Sequence, residues 1–239
     1  MSDQWVNFLR GKEMAGHKLG ELISMGAFSY VFEGHHSSGK RRAIKVLRSS
    51  TDPEAAEEFH RESGLLRQLS GAANVVELLD SGSIAFEVQA REIQLSIDFS
   101  YHVLELASGC LQEIVLNRET VEWSERIKLW RGVILGVHQM HLRNIVHRDL
   151  KSSNCLLFVK RHNLTQIKIA DLGRSRDLGA TPAHPRMLYF RGLGDLTFAP
   201  PEFLYLQGRN TEGYQKVPIL FNLPRRASHR NNDPSRRMW

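Results

Sequence analysis

Cysteine is scarce in this chain of 239 residues, occurring only as Cys110 and Cys155. A disulfide-stapled fold and a cysteine-ligated metal site are both excluded, and a reduced, cytoplasmic setting is expected. Long apolar runs are missing too. No stretch approaches the roughly 18 residues that a membrane-crossing helix needs. The opening "MSDQWVNFLRGKEMAG" lacks the apolar core of a secretory leader, so none is expected. What is present suits a globular domain: 41% hydrophobic and 24% charged residues, with enough length to bury a sizeable core. The net charge of +6 is unevenly placed, because residues 209–239 hold seven Lys or Arg against two Asp or Glu. The body before them is nearly neutral and has no electrostatic reason to bind nucleic acid. The arginine-rich end reads as a solvated, irregular tail.

Hydrophobic patterning divides the rest. Residues 18–48 read as three strands, with "HHSSGK" as a hairpin turn. Asp52 and Pro53 cap a helix over 52–69 whose inner face carries Phe59, Leu65, Leu66 and Leu69. Two strands are expected around "NVVELLD" and "YHVLELA", then helices over 109–117 and 124–142. The last helix has two apolar stripes: Ile127, Trp130, Ile134 and Val137, and Leu129, Val133 and Met140. Such a helix needs cover on more than one side. Asn144 suits a left-handed stop beyond it.

Four short stretches carry candidate chemistry. In "SMGAFSYV" the turn between two strands is either an ordinary hairpin or a set of backbone N–H groups over phosphates. It is poor in glycine: Gly26 fills one of three places in a G-x-G-x-x-G pattern, and Ser24 and Ser29 fill the others. In "RAIKVL", Lys45 sits between apolar neighbours, so it faces water at an edge or needs a buried counter-ion, for which Glu62 is placed. In "HRDLKSSN", Asp149 can accept a hydroxyl proton, Lys151 can steady a phosphate and Asn154 can offer oxygen to a hard cation. In "KIADLGRS", Asp171 follows a short strand and supplies a second oxygen ligand. Holding phosphates, holding Mg²⁺ and orienting a hydroxyl are the tasks of phosphoryl transfer.

In this order, residues 20–202 resemble the eukaryotic-type Ser/Thr protein kinases: "AIK", "HRDLKSSN", "DLG" for the usual DFG, and "APPE" closing the activation segment. The resemblance implies an α+β, bilobal fold: an N-terminal extension over 1–17, a kinase domain over 18–206 and the tail over 207–239. The β-rich N-lobe would span 18–105, and a partial helical C-lobe 106–206. It implies ATP and Mg²⁺ as cofactors and proteins with Ser or Thr acceptors as substrates. Val31 and Ala43 would lie above the adenine and Leu156 below it, with Leu104 as gatekeeper and the backbone of Glu105 and of Leu106–Ala107 along its edge. Lys45 would hold phosphates and pair with Glu62, Asp149 would be the base, and Asn154 and Asp171 the metal ligands. Lys151 resembles the Ser/Thr-specific branch. Arg148 suggests control by phosphorylation of the activation segment, at Ser175, Thr181 or Tyr189, and "RRAS" offers Ser228 to a basic-directed kinase.

The departures matter as well. Asp195 stands where relatives carry a Thr that touches the catalytic Asp and Lys, and it is expected to bind Lys151. Phe198 and Pro200 replace Tyr and Ala. After Glu202 the family continues for about 80 residues, whereas "KVPILFNLP" has prolines six apart and does not read as a helix. The expectation is a kinase cut short, with a C-lobe that is loose or completed by a partner chain. The alternative to catalysis is a nucleotide-binding or scaffold protein.

Overall fold

The structure, a computed structural model, describes residues 4–48, 53–90, 93–116, 121–159, 165–180, 195 and 197–198. Thr181, Tyr189, the "APPE" stretch, Ser228 and the basic tail lie outside the described residues.

The N-terminal part is one antiparallel sheet. Helix α1 (Gln4–Leu9) and strand β1 (Glu13–Met14) lead into β2 (His17–Met25), β3 (Ser29–His36) and β4 (Arg41–Leu47). Helix α2 (Pro53–Gln68) precedes a long hairpin, β5 (Leu78–Ala90) and β6 (Ile93–Leu104), and the six strands run in the order β1-β2-β3-β4-β6-β5. Gly39, at φ +80°, turns the β3–β4 hairpin where "HHSSGK" predicts it.

Alternation along these strands sorts the side chains onto two faces. Tyr30, Phe32, Ile44, Val46, Phe99 and Val103 point to one face and form a core with Val6, Leu9 and Met14. A six-residue helix such as α1 has no stability alone, so its place is set by this packing. Trp5 and Phe8 meet Phe99 with ring centroids 5.7 and 6.2 Å away. The opposite face is the functional one, and register fixes its membership: Val31 pairs with Lys45, Lys45 with His102, and Ala43 with Leu104.

The strands expected around "NVVELLD" and "YHVLELA" are present but run further than those stretches. Residues 74–77 precede β5, and β6 ends at Leu104 after running back to Ile93. Between them the hairpin pairs Ile84 with Phe99, Phe86 with Ile97 and Val88 with Leu95, which gives it one continuous apolar face.

The second part is built on a helix. Strand β7 (Gly109–Cys110) and helix α3 (Leu111–Leu116) precede α4 (Trp123–His141), followed by β8 (Ile145–Val146), a 3-10 turn at Ser152–Asn154, β9 (Cys155–Val159), β10 (Thr165–Ile169) and β11 (Arg176–Asp177). Asn144, at φ 58°, ends the α4 segment in the left-handed conformation expected of it. Leu65, Leu66 and Leu69 of α2 share a core with Met140, Ile145, Ile169 and Leu172, and so tie the sheet to the helical part. One stripe of α4, Leu129, Val133 and Met140, is buried, whereas Ile127, Trp130 and Ile134 are half exposed or more.

Two glycines let α4 lie close on β10. A Cβ on Gly132 would come within 2.2 Å of Ile167 Cγ2, and one on Gly136 within 2.6 Å of the Asn74 carbonyl oxygen. Asn74 is itself fixed, since its carbonyl accepts from Ile169 N and its Nδ2 donates to the Ile167 carbonyl at 2.8 Å. Alanine is the better helix former by roughly 1 kcal/mol, but backbone that cannot retreat makes overpacking, at about 1–3 kcal/mol, the larger effect. Gly136→Ala is therefore expected to lower the urea midpoint with an unchanged slope.

Candidate active site

Lys45 reaches from β4 to two carboxylates. Its Nζ lies 2.6 Å from Glu62 Oε2 on α2 and 3.0 Å from Asp171 Oδ1 after β10. The buried-counter-ion alternative for Lys45 is the one the structure adopts. Glu62 also accepts from Leu172 N at 3.1 Å, so one buried carboxylate fixes both the lysine and the backbone beside Asp171. Burial disfavours charge on Lys45, but Asp171 and Glu62 outweigh it and hold its pKa above the ordinary lysine range. Lys45 stays cationic. The nearby Lys45 charge, before any other cause, brings Asp171 down to about 2.

Asp149, Lys151 and Asn154 form a second group. Asn154 Nδ2 donates to the Asp149 carbonyl at 2.9 Å, and Lys151 Nζ lies 3.4 Å from Asp149 Oδ2. Lys151 also lies 3.6 Å from Asp195 Oδ2, the expected contact, and Asp195 N donates to Asp149 Oδ1 at 2.6 Å. The two groups are joined through Ala170, whose N donates to the Asn154 carbonyl and whose carbonyl accepts from His147 Nε2. Both Arg148 (φ 68°) and Asp171 (φ 61°) take left-handed backbone, a strain of about 1–3 kcal/mol each that the surrounding bonds over-determine.

The remaining predicted residues take distinct places. Val31, Ala43 and Leu104 lie on the inner sheet face with Lys45. Leu156 is half-buried on β9, and the N–H of Ala107 makes no backbone hydrogen bond among the described residues. Glu105 turns its side chain away into bonds with Glu77 N and Lys168. Ser24 and Gly26 are exposed and Ser29 half-buried, in a turn where Gly26 N donates to the Ser29 carbonyl. That N–H is used within the hairpin. Ser175 is corrected as a phosphate acceptor: it is fully buried and its hydroxyl donates to the His147 carbonyl.

Sequence reading missed two features. One is Glu58, a turn before Glu62, which lies 3.4 Å from Arg174, 3.8 Å from Arg176 and 3.7 Å from Arg61. Its i, i+4 spacing from Glu62 was the available signal. Arg148 joins this group, with burial and then Arg176 bringing its pKa down to about 10. The other is His102, buried and stacked on Phe59 with centroids 3.9 Å apart. Burial first, then the charges of Lys45, His60 and Arg67, press its pKa down to about 3, so its 3.9 Å approach to Glu62 is not an ion pair.

This has a measurable consequence. Unfolded, His102 titrates near 6.5, so between pH 6.5 and 3 the unfolded chain holds the extra proton. Stability is full above that window and falls with pH through it, by up to about 1.4 kcal/mol per unit for one proton. His147, also lowered by burial, acts in the same direction. His102→Phe, which keeps the stacking, is expected to flatten the slope of unfolding free energy against pH by about one proton, measured by urea melts.

The family model described as "Protein kinase domain" matches residues 17–217. This chain belongs to the protein kinase family. LIM domain kinase 1 of Drosophila melanogaster is 32% identical over 164 residues, 68% of this kinase chain and 12% of that protein. The hormonally up-regulated neu tumor-associated kinase homolog of Xenopus tropicalis is 33% identical over 175 residues, 71% of this chain and 22% of that protein. Serine/threonine-protein kinase crk1 of Schizosaccharomyces pombe is 33% identical over 186 residues, 77% of this chain and 47% of that protein. The matches thus span less than half the length of each of these relatives. No helix among the described residues is long and apolar enough to cross a membrane.

Proposed function

We propose that this chain is an ATP-dependent protein serine/threonine kinase. The observation that carries the reading is the Lys45–Glu62–Asp171 arrangement, closed by the Leu172 N–H on Glu62. It fixes a cation and an ionised carboxylate beside Asp149, Lys151 and Asn154. The donor set fits the cofactors: Asn154 and Asp171 offer the amide and carboxylate oxygens that Mg²⁺ prefers, and Asp171 remains half exposed. Lys45 would hold the phosphates, and Val31, Ala43, Leu104 and Leu156 would enclose the base, with the Ala107 backbone along its edge. When bound, Mg-ATP supplies the phosphoryl group and neutralises charge on it. Asp149 orients the acceptor hydroxyl and takes its proton, and Lys151 supplies positive charge beside it.

Ser/Thr specificity rests on Lys151 two places after Asp149, together with the Ser/Thr kinases among the relatives. The reading includes a cytoplasmic setting, supported by the free cysteines Cys110 and Cys155. It also includes control by phosphorylation, supported by the gathering of Arg61, Arg148, Arg174 and Arg176 near Glu58, with Glu57 also on Arg61. The test is transfer of labelled phosphate from ATP by the purified chain onto a generic protein mixture, with Mg²⁺ present or chelated. Mg²⁺-dependent phosphoserine and phosphothreonine are expected. ATP binding without any transfer would instead favour the scaffold reading.

A further inference from the structure

Lys151 is one ammonium held between two carboxylates. Asp149 Oδ2 is 3.4 Å from its Nζ and Asp195 Oδ2 is 3.6 Å away, so the trio carries one negative charge in excess. The two acids differ in access. The Asp149 side chain is 10% exposed, whereas that of Asp195 is 36% exposed. Asp195 is held in place by its backbone rather than by Lys151: its N–H is on Asp149 Oδ1, and its own Oδ1 accepts from Thr197 N at 3.0 Å. The Thr197 N–H is also the chief reason its carboxyl stays below the ordinary range and ionised. Among the described residues Lys151 is the one cation within ion-pair distance of it.

An acceptor hydroxyl bound at Asp149 therefore sits beside a second, solvent-facing carboxylate. Consecutive residues of the acceptor chain are about 3.8 Å apart, so the residue flanking the hydroxyl passes Asp195. When Lys151 turns to a phosphate, Asp195 loses the one cation paired with it among the described residues. A Lys or Arg of the substrate can replace it, whereas an acidic residue adds repulsion in a site already short of positive charge.

We propose that Asp195 is a specificity-determining residue, whose carboxylate receives a Lys or Arg immediately flanking the acceptor Ser or Thr. The proposal rests on the kinase reading above and assigns a substrate class to that site.

The test uses three peptides that differ only in the residues flanking one serine, as Arg, Gln or Glu. Transfer is read as kcat/KM with Mg-ATP, and affinity by fluorescence anisotropy with a non-hydrolysable ATP analogue. The full chain is expected to rank Arg above Gln above Glu, with steps on the order of tenfold for a charge-assisted contact. Asp195→Asn keeps the backbone bonds and an acceptor for Thr197, and should collapse the three to within about twofold. Asp195→Glu should restore the order, which a merely structural role would not do. Asp195→Thr serves as a second neutral variant if the Asn protein does not fold. Equal rates and affinities for the three peptides in the unaltered chain overturn the proposal, as does an order that persists in both neutral variants. Ranked affinities that depend on Asp195 with no transfer from any peptide would sink the catalytic reading and leave this one standing.

Discussion

Asp149→Asn is expected to lower phosphate transfer by roughly 10²- to 10⁴-fold, the range for losing a positioned general base. The replacement is nearly isosteric, and the Asp149 backbone keeps its bonds, including the one from Asn154 Nδ2. Its side-chain oxygen can still accept from Asp195 N, the contact made at 2.6 Å in the parent. What it cannot do is take a proton from a hydroxyl. The loss should fall on kcat, with the KM for ATP little changed, because Lys45 and Asp171 are untouched. Initial rates beside thermal melts of both proteins check it. An unchanged kcat in a folded variant would remove Asp149 as the base.

Lys45→Met is expected to cost about 3–5 kcal/mol of stability, because it strands a buried partner. Glu62 is 2% exposed and Lys45 12% exposed, and beyond Lys45 the carboxylate keeps, among the described residues, the Leu172 N–H and a neutral imidazole nearby. That is a large share of the roughly 5–15 kcal/mol that holds a domain together. Burial already raises the Glu62 pKa above its ordinary value of 4.5, and removing Lys45 removes the main opposing pull. In the variant, the folded chain thus holds the Glu62 proton over a window above pH 4.5 where the unfolded chain has released it. Its stability should rise as pH falls through that window. Lys45→Met with Glu62→Gln should regain most of the loss in urea melts while nucleotide affinity stays low. A single variant costing under about 1 kcal/mol would show that the pair is not buried as described.

Some of the fold was legible and unread. Ile84, Phe86 and Val88 alternate with the small or polar Ala85, Glu87 and Gln89, and Ile93, Leu95, Ile97 and Phe99 with polar residues, so the long β5–β6 hairpin was written in period two. The flanks, Val75 to Leu79 and Val103 to Leu106, are more continuously apolar and dominate the hydrophobic signal. Helix α1 is another matter. Trp5, Val6, Phe8 and Leu9 make a short apolar patch whose meaning depends on the Phe86 and Phe99 rings across the sheet.

By itself the sequence determined the strands of 18–48, the helices α2 and α4, and the residue types at Lys45, Glu62, Asp149, Lys151, Asn154 and Asp171. These follow from local rules: alternation, helical spacing, caps, and the few side chains that suit a base or a hard cation. Tertiary structure alone decided which of those residues meet. It put Lys45 on Glu62 rather than in water, buried Ser175, paired Arg61, Arg174 and Arg176 with Glu58 and neutralised His102. Such outcomes depend on distance and dielectric between segments up to 126 residues apart, as with Lys45 and Asp171. Periodicity along a chain carries no information about that separation in space.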